Sequence, residues 1–346
     1  MKKALLALLA LSLPLTAQAA PFSNDAARYA LPEAQMVGHI DFERLRESKT
    51  FKDLYAMLSA NPNAQRGLAD LEARFGIKIL SDLSGITFSI NAPKAGAGTE
   101  TFVFASGRFD EAKVMAGMKG RGADYSESAE GAQRLYVAQN DKTALAFLSG
   151  GLLAANSQVS PTASVEGEAS MRKVLKGAGL GGAIKGLSAQ FSAGKDIWFA
   201  LSPNAEMLSD LKAQDPQMAA FTAWTLSVDL SAGLHIHAEG VGTAEAASGV
   251  AAKLTAQVQG AMASPQAAML GGIITKFSVK AEGDKLVLDL PLSQQDVEQL
   301  KMLGMMAMAA MQSAARPEPQ PSFPAIQQPT KPSAPAPAPA PLKINP

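Results

Sequence analysis

Along residues 224–230, Trp224, Leu226, Val228 and Leu230 alternate with Thr225, Ser227 and Asp229. A period of two predicts a strand buried on one face. Ser231-Ala232-Gly233 then reads as a three-residue turn, and the return strand carries Leu234, Ile236 and Ala238 inward. The same alternation predicts strands at Met36–Ile40, Ile86–Ile90, Thr101–Ala105 and Ile197–Leu201. It also predicts hairpins turning at Glu130-Gly131, at Gly150-Gly151 and at Glu282-Gly283-Asp284. Leu286, Leu288 and Leu290 share one face of the last return strand.

Between these runs the period changes to that of a helix. Leu45, Phe51, Leu54, Tyr55 and Leu58 form one apolar stripe; Leu68, Leu71 and Phe75, stopped by Gly76, form a second. Asp110 precedes a stripe of Val114, Met115 and Met118, and Thr243 precedes Val250, Leu254 and Val258. Both fit an N-cap, whose side-chain oxygen accepts from an orphan helix N–H. A shorter helix is expected over Glu206–Leu211, and an apolar segment over Ala261–Leu270. Ser293 with Asp296 has capping-box spacing and opens a last helix.

Adjacent hairpins with intervening helices predict an α+β fold, antiparallel sheet with helices on one face of each half. The halves are residues 20–160 and 191–312, joined by a helix and Gly-rich bend over 161–190. Ala129-Glu130-Gly131 and Ala281-Glu282-Gly283 occupy corresponding places in them, which suggests a diverged duplication.

The two ends of the chain depart from this pattern. Lys2 and Lys3, an apolar run from Ala4 to Leu13, Pro14 and Ala17-Gln18-Ala19 make a cleavable signal peptide of residues 1–19. That run is too short to span a bilayer, so a soluble protein, periplasmic or secreted and starting at Ala20, is expected. From residue 313 the chain turns Pro- and Ala-rich, ending in the alternating tract Ala334–Pro341. Proline cannot donate to a helix or ladder, so residues 313–346 read as a disordered tail, either a spacer or an end without a dedicated role.

Composition narrows the chemistry. Lys plus Arg and Asp plus Glu each number 31, so net charge is zero. Nucleic-acid binding needs a positive surface to release counterions, so this overall balance argues against such a partner and leaves only a local patch open. Cysteine is absent, which removes thiol nucleophiles and thiolate metal sites.

Few motifs survive inspection. Gly177, Gly179 and Gly182 have dinucleotide-loop spacing, but they follow a helical segment and precede a strand-like one, the reverse of the required context. Ser170 with Lys173 has Ser-x-x-Lys spacing, as do Ser192 with Lys195 and Ser209 with Lys212. The accompanying Lys-Thr-Gly is missing. No catalytic residue and no cofactor is assigned.

Two metal candidates remain. His235 and His237, two apart on a strand, share the face opposite Leu234 and Ile236. The turn at 231–233 sets Asp229 across from His235 and Thr225 across from Glu239, a convergence able to hold zinc or copper. A solvated sheet face needs no ligand and is the competing reading. Met302, Met305, Met308 and Met311 run at i, i+3 spacing in the last helix, with Met306 between them. Thioethers so placed suit Cu(I), while packing is the competing reading because Met fills irregular gaps.

The layout of residues 25–311 resembles exported bacterial proteins that have two similar α+β halves and no assigned activity. That resemblance carries no diagnostic motif and brings no site residues. The function expected from sequence is a non-catalytic binding or scaffolding protein of the periplasm or cell surface. Its partner would be another protein or a cell-envelope component, with no nucleic acid and no transmembrane span. A hydrolase with an illegible site and a copper-handling protein using the Met helix are the alternatives.

Overall fold

Alternating residues become strands here because one side of each finds an apolar partner. In a computed structural model the residues described are 28–91, 99–120, 124–138, 143–148, 151–158, 167–177, 179–190, 194–263 and 271–314. The signal peptide, the loop at 95–98, Gly150, the segment 264–270 and tail residues 315–346 lie outside them. The chain divides into Met1–Leu303 and Gly304–Pro346. The sheet belongs to the first unit; of the second, only the end of the last helix is described.

The strands of the first half are β1 (Met36–Asp41), β2 (Leu83–Asn91), β3 (Glu100–Gly107), β4 (Tyr125–Glu130), β5 (Gln133–Ala138), β6 (Ala144–Leu148) and β7 (Leu152–Gln158). Those of the second are β8 (Ile197–Leu201), β9 (Ala223–Asp229), β10 (Gly233–Val241), β11 (Ser278–Glu282) and β12 (Lys285–Ser293). The helices between β1 and β2 are α1 (Phe42–Glu47), α2 (Lys49–Ser59), α3 (Pro62–Phe75) and α4 (Ile79–Asp82); α5 (Glu111–Lys119) follows β3. Next come α6 (Gly167–Leu175), α7 (Gly182–Ala189), α8 (Ala205–Gln214), α9 (Ala244–Met262) and α10 (Gln294–Ala314).

The fold is α+β, and among the described residues the two halves share one antiparallel sheet of twelve strands in the order β11-β12-β10-β9-β8-β1-β2-β3-β7-β6-β5-β4. Its seam is β1 against β8, with Val37 opposite Ala200 and His39 opposite Trp198. Connectivity runs alike outward from this seam. Three adjacent strands (β1-β2-β3, β8-β9-β10) lead to a helix, and the chain then returns so that β7 pairs β3 and β12 pairs β10. The first half has one hairpin more. Gly131 and Gly283 turn the two edge hairpins at φ 62° and 66°, a left-handed conformation that a Cβ would strain.

One row of side chains crosses every strand on a single face, here called the front. It runs Ser278, Asp289, His237, Ser227, Trp198, His39, Thr87, Phe104, Ala154, Ala146, Leu135 and Ser128. Its polar end belongs to the second half and its apolar end to the first.

Within each half the helices of the core clusters pack on the back face. Phe42, Leu45 and Phe51 of α1 and α2 meet Ile40, Ile86, Val228 and Leu234. Met115 of α5 meets Tyr136 and Leu145, α9 covers Leu286 and Val279, and Val297 and Leu300 of α10 cover Leu290 and Leu292. The connecting segment takes the front instead. Met171, Val174 and Leu175 of α6 bury Phe102, Phe104, Leu135 and Ala146; Ile184 and Leu187 of α7 bury Val37, Trp198 and Ala200. Among the described residues, no core cluster includes a front-face residue of β9, β10, β11 or β12.

Two local features depart from the sequence reading. The first helical stripe is broken at Ser48, whose hydroxyl donates to Leu230 O at 2.5 Å and accepts from Phe51 N–H at 3.1 Å, capping α2. The strand-like stretch after Gly182 is α7. Its glycines lower helix propensity, and packing of Ile184 and Leu187 on the seam overrides that preference. The glycine loop therefore joins two helices, and still follows no strand.

Candidate metal centre

β9 and β10 pair in the register read from sequence, Asp229 opposite His235 and Thr225 opposite Glu239. Asp229 nevertheless serves its own turn: its Oδ1 accepts from Ser231 N–H at 2.9 Å and from the Ser231 hydroxyl at 2.5 Å. Burial would raise its carboxyl, but those bonds outweigh it and hold the pKa below the usual range.

The third donor comes from the other neighbour of β10. β12 pairs with it so that His237 faces Asp289. Leu286, Leu288, Leu290 and Leu292 point back, which turns Asp289 to the front. Asp289 Oδ1 lies 2.7 Å from Nε2 of His235 and 3.2 Å from Nδ1 of His237. These three donors all lie within 4.8 Å of one another. Burial acts to raise Asp289, and the bonds from His235 and then His237 overcome it, leaving the carboxyl low and ionised.

The cluster is open to solvent: side-chain exposure is 45% for His235 and 31% for both His237 and Asp289. Beside His235 runs a groove of about 440 Å³, with Asp229, Lys276 and Ser293 on its walls. On the far side Glu239 Oε1 is 3.3 Å from Nε2 of His237, and Glu239 Oε2 accepts from Lys285 Nζ at 3.1 Å.

A tetrahedral ion with bonds of about 2.0–2.1 Å holds its donors about 3.3 Å apart. The His237 contact already meets that spacing, and the His235 contact has to open by about 0.6 Å. Two imidazoles and one carboxylate suit a divalent first-row ion and leave one position for water or an incoming ligand.

The methionine stripe belongs to α10. Met302 is 55%, Met305 45% and Met306 58% exposed. The side chains of Met308 and Met311 lie outside the described residues. No described helix is long and apolar enough to cross a membrane.

No family model and no curated protein matches this chain. Among solved structures, crystal form III of TP0453 aligns at 11% identity, covering 79% of this chain and 96% of that one, with a TM-score of 0.46. Crystal form I aligns at 10%, covering 80% and 96%, with 0.43. Crystal form IV aligns at 9%, covering 79% and 95%, with 0.45. At these TM-scores the likeness carries no functional inference.

Proposed function

We propose that this chain is an exported, non-catalytic binding protein that takes up a divalent first-row metal ion, of the zinc or copper(II) class, at His235, His237 and Asp289. The carrying observation is Asp289 Oδ1 within 2.7 and 3.2 Å of one nitrogen on each imidazole. Adjacent strands fix those side chains by register, so most of the ordering cost is met by the fold. The signal-like pattern of residues 1–19 supports the export part of this reading, to the periplasm or outside the cell. Oxidising compartments leave imidazole and carboxylate as available ligands in a chain without cysteine.

Calorimetric titration of zinc into the tag-free mature chain should show one site per molecule. His235→Ala and Asp289→Ala should each remove it. Equal heats from wild type and both variants would end the metal reading. Sequencing of the secreted or periplasmic protein should begin at Ala20; a start at Met1 from cytosol would end the export reading.

A further inference from the structure

A metal-bound imidazole has a second nitrogen, and what that nitrogen meets decides how the ring is held. Resting on the metal reading above, we infer that Glu239 is the positioning residue of this centre and Lys285 its anchor. Glu239 accepts the Nε2 proton of His237 and so presents Nδ1 to the ion.

The ring of His237 lies between two carboxylates. Its Nδ1 is 3.2 Å from Asp289 and its Nε2 is 3.3 Å from Glu239. One nitrogen ligates and the other carries the proton, so the two carboxylates have different roles. Nδ1 lies on the side of His235: Asp289, the oxygen it approaches, also lies 2.7 Å from Nε2 of His235. Ligation through Nδ1 therefore gathers three donors about one point. Ligation through Nε2 would pair His237 with Glu239 and leave His235 outside, since the converging group is His235, His237 and Asp289 alone among the described residues.

Glu239 is also committed elsewhere. Its second oxygen accepts from Lys285 Nζ at 3.1 Å. Lys285 stands near the start of β12, four residues before Asp289 on the same strand face. The strand that supplies the ligating carboxylate thus also supplies the cation that pins the orienting one. β10 carries His235, His237 and Glu239 at a spacing of two, so ligand, ligand and orienter share a face.

The test uses the tag-free mature chain and zinc alone, with dissociation constants from competition against a chromophoric chelator. Asp289→Ala should bind at least a thousandfold more weakly than wild type. Glu239→Ala should lose about 10–100-fold, the usual effect of removing an orienting partner. Glu239→Gln, which keeps an acceptor of the same shape, should lose less, and Lys285→Met should lose less again. Imidazole ¹⁵N shifts in the zinc form should show His237 ligated at Nδ1 and protonated at Nε2. Thermal unfolding without metal should be unchanged in Glu239→Gln, which separates positioning from folding. Binding by Glu239→Ala within twofold of wild type, or ligation at Nε2, overturns the role. So does a Glu239→Ala loss as large as that of Asp289→Ala, because Glu239 would then be a ligand. If wild type binds no zinc, the metal reading itself falls.

Discussion

The edge hairpins β4–β5 and β11–β12 occupy corresponding places in the connectivity, and the front face above them differs. Over the first lies α6. Its Met171, Val174 and Leu175 sit on Phe104, Leu135 and Ala146. Its Arg172 clamps the edge, donating to Glu130 at 2.6 Å, to Ser128 at 3.1 Å and to Ala129 O at 3.1 Å. Over the second the front row becomes His237, Asp289 and Ser278, and among the described residues no helix of a core cluster packs on them. A sheet face with an apolar cover must be apolar to be stable; one without a cover is free to hold donors. In this chain the same row serves as core at one end and carries the proposed ligand set at the other.

That contrast predicts opposite outcomes for two substitutions on one row. Phe104→Ala removes a buried ring from under α6 and should cost about 3–5 kcal/mol in unfolding free energy. His237→Ala lies outside every core cluster and loses only partly exposed contacts to Asp289 and Glu239, so it should cost about 1 kcal/mol or less without metal. Urea denaturation of both proteins in chelator decides it. Similar losses would mean that the open end is packed as tightly as the covered one.

Midway along the row His39 is 3% exposed, and burial lowers its pKa from 6.5 to about 4. Its Nδ1 lies 2.9 Å from Thr87 Oγ1. The unfolded chain takes up this proton near pH 6.5, whereas the folded chain resists until about 4. Stability from this group is therefore full above pH 6.5 and declines as pH falls toward 4. The gap corresponds to on the order of 3 kcal/mol. Buried Asp41 and Asp196, raised chiefly by desolvation, act in the opposite direction at the acidic end of this range. His39→Gln shares them, so the difference between the two proteins isolates the imidazole. Wild type should lose about 3 kcal/mol more than His39→Gln between pH 7.5 and 4. Parallel curves would show that the imidazole is hydrated.

Local features were legible in the sequence because their causes are local. The Thr243 hydroxyl accepts from Ala246 N–H and Asp110 from Lys113 N–H, as N-caps should. Ser293 and Asp296 cap each other reciprocally, at 2.7 and 3.3 Å. The β9–β10 register followed from its short turn. Asp289 was different: its front-facing position follows from Leu288 and Leu290, but its neighbour does not. β12 pairs with a strand some fifty residues earlier, across α9, and no periodicity encodes that choice. The seam of β1 on β8 is equally long-range. The candidate site thus stayed one donor short in the sequence, since two donors came from one strand and the third required the sheet.

Zinc at one hundred times its dissociation constant should stabilise wild type by about 2.7 kcal/mol, because only the folded sheet assembles the three donors. His235→Ala should lose that increment and keep its metal-free stability. An increment that survives in His235→Ala would place the ion elsewhere and dissolve the contrast between the two ends of the row.

The smallest effect is expected where the sequence pattern looked most unusual. Met302, Met305 and Met306 are all about half exposed, and surface substitutions away from special features stay within about 0.5 kcal/mol. Exchanging these three for Leu preserves helix propensity and apolar volume. The triple variant should therefore melt with wild type and bind zinc within twofold of it. Copper(I) gives the complementary measurement, since thioethers favour it and the His235 cluster, with its carboxylate, favours divalent ions. If the variant loses copper(I) competition while His235→Ala keeps it, the helix is a second, independent metal site. If the triple variant instead loses zinc affinity or several degrees of melting temperature, the methionines are buried against a surface in solution.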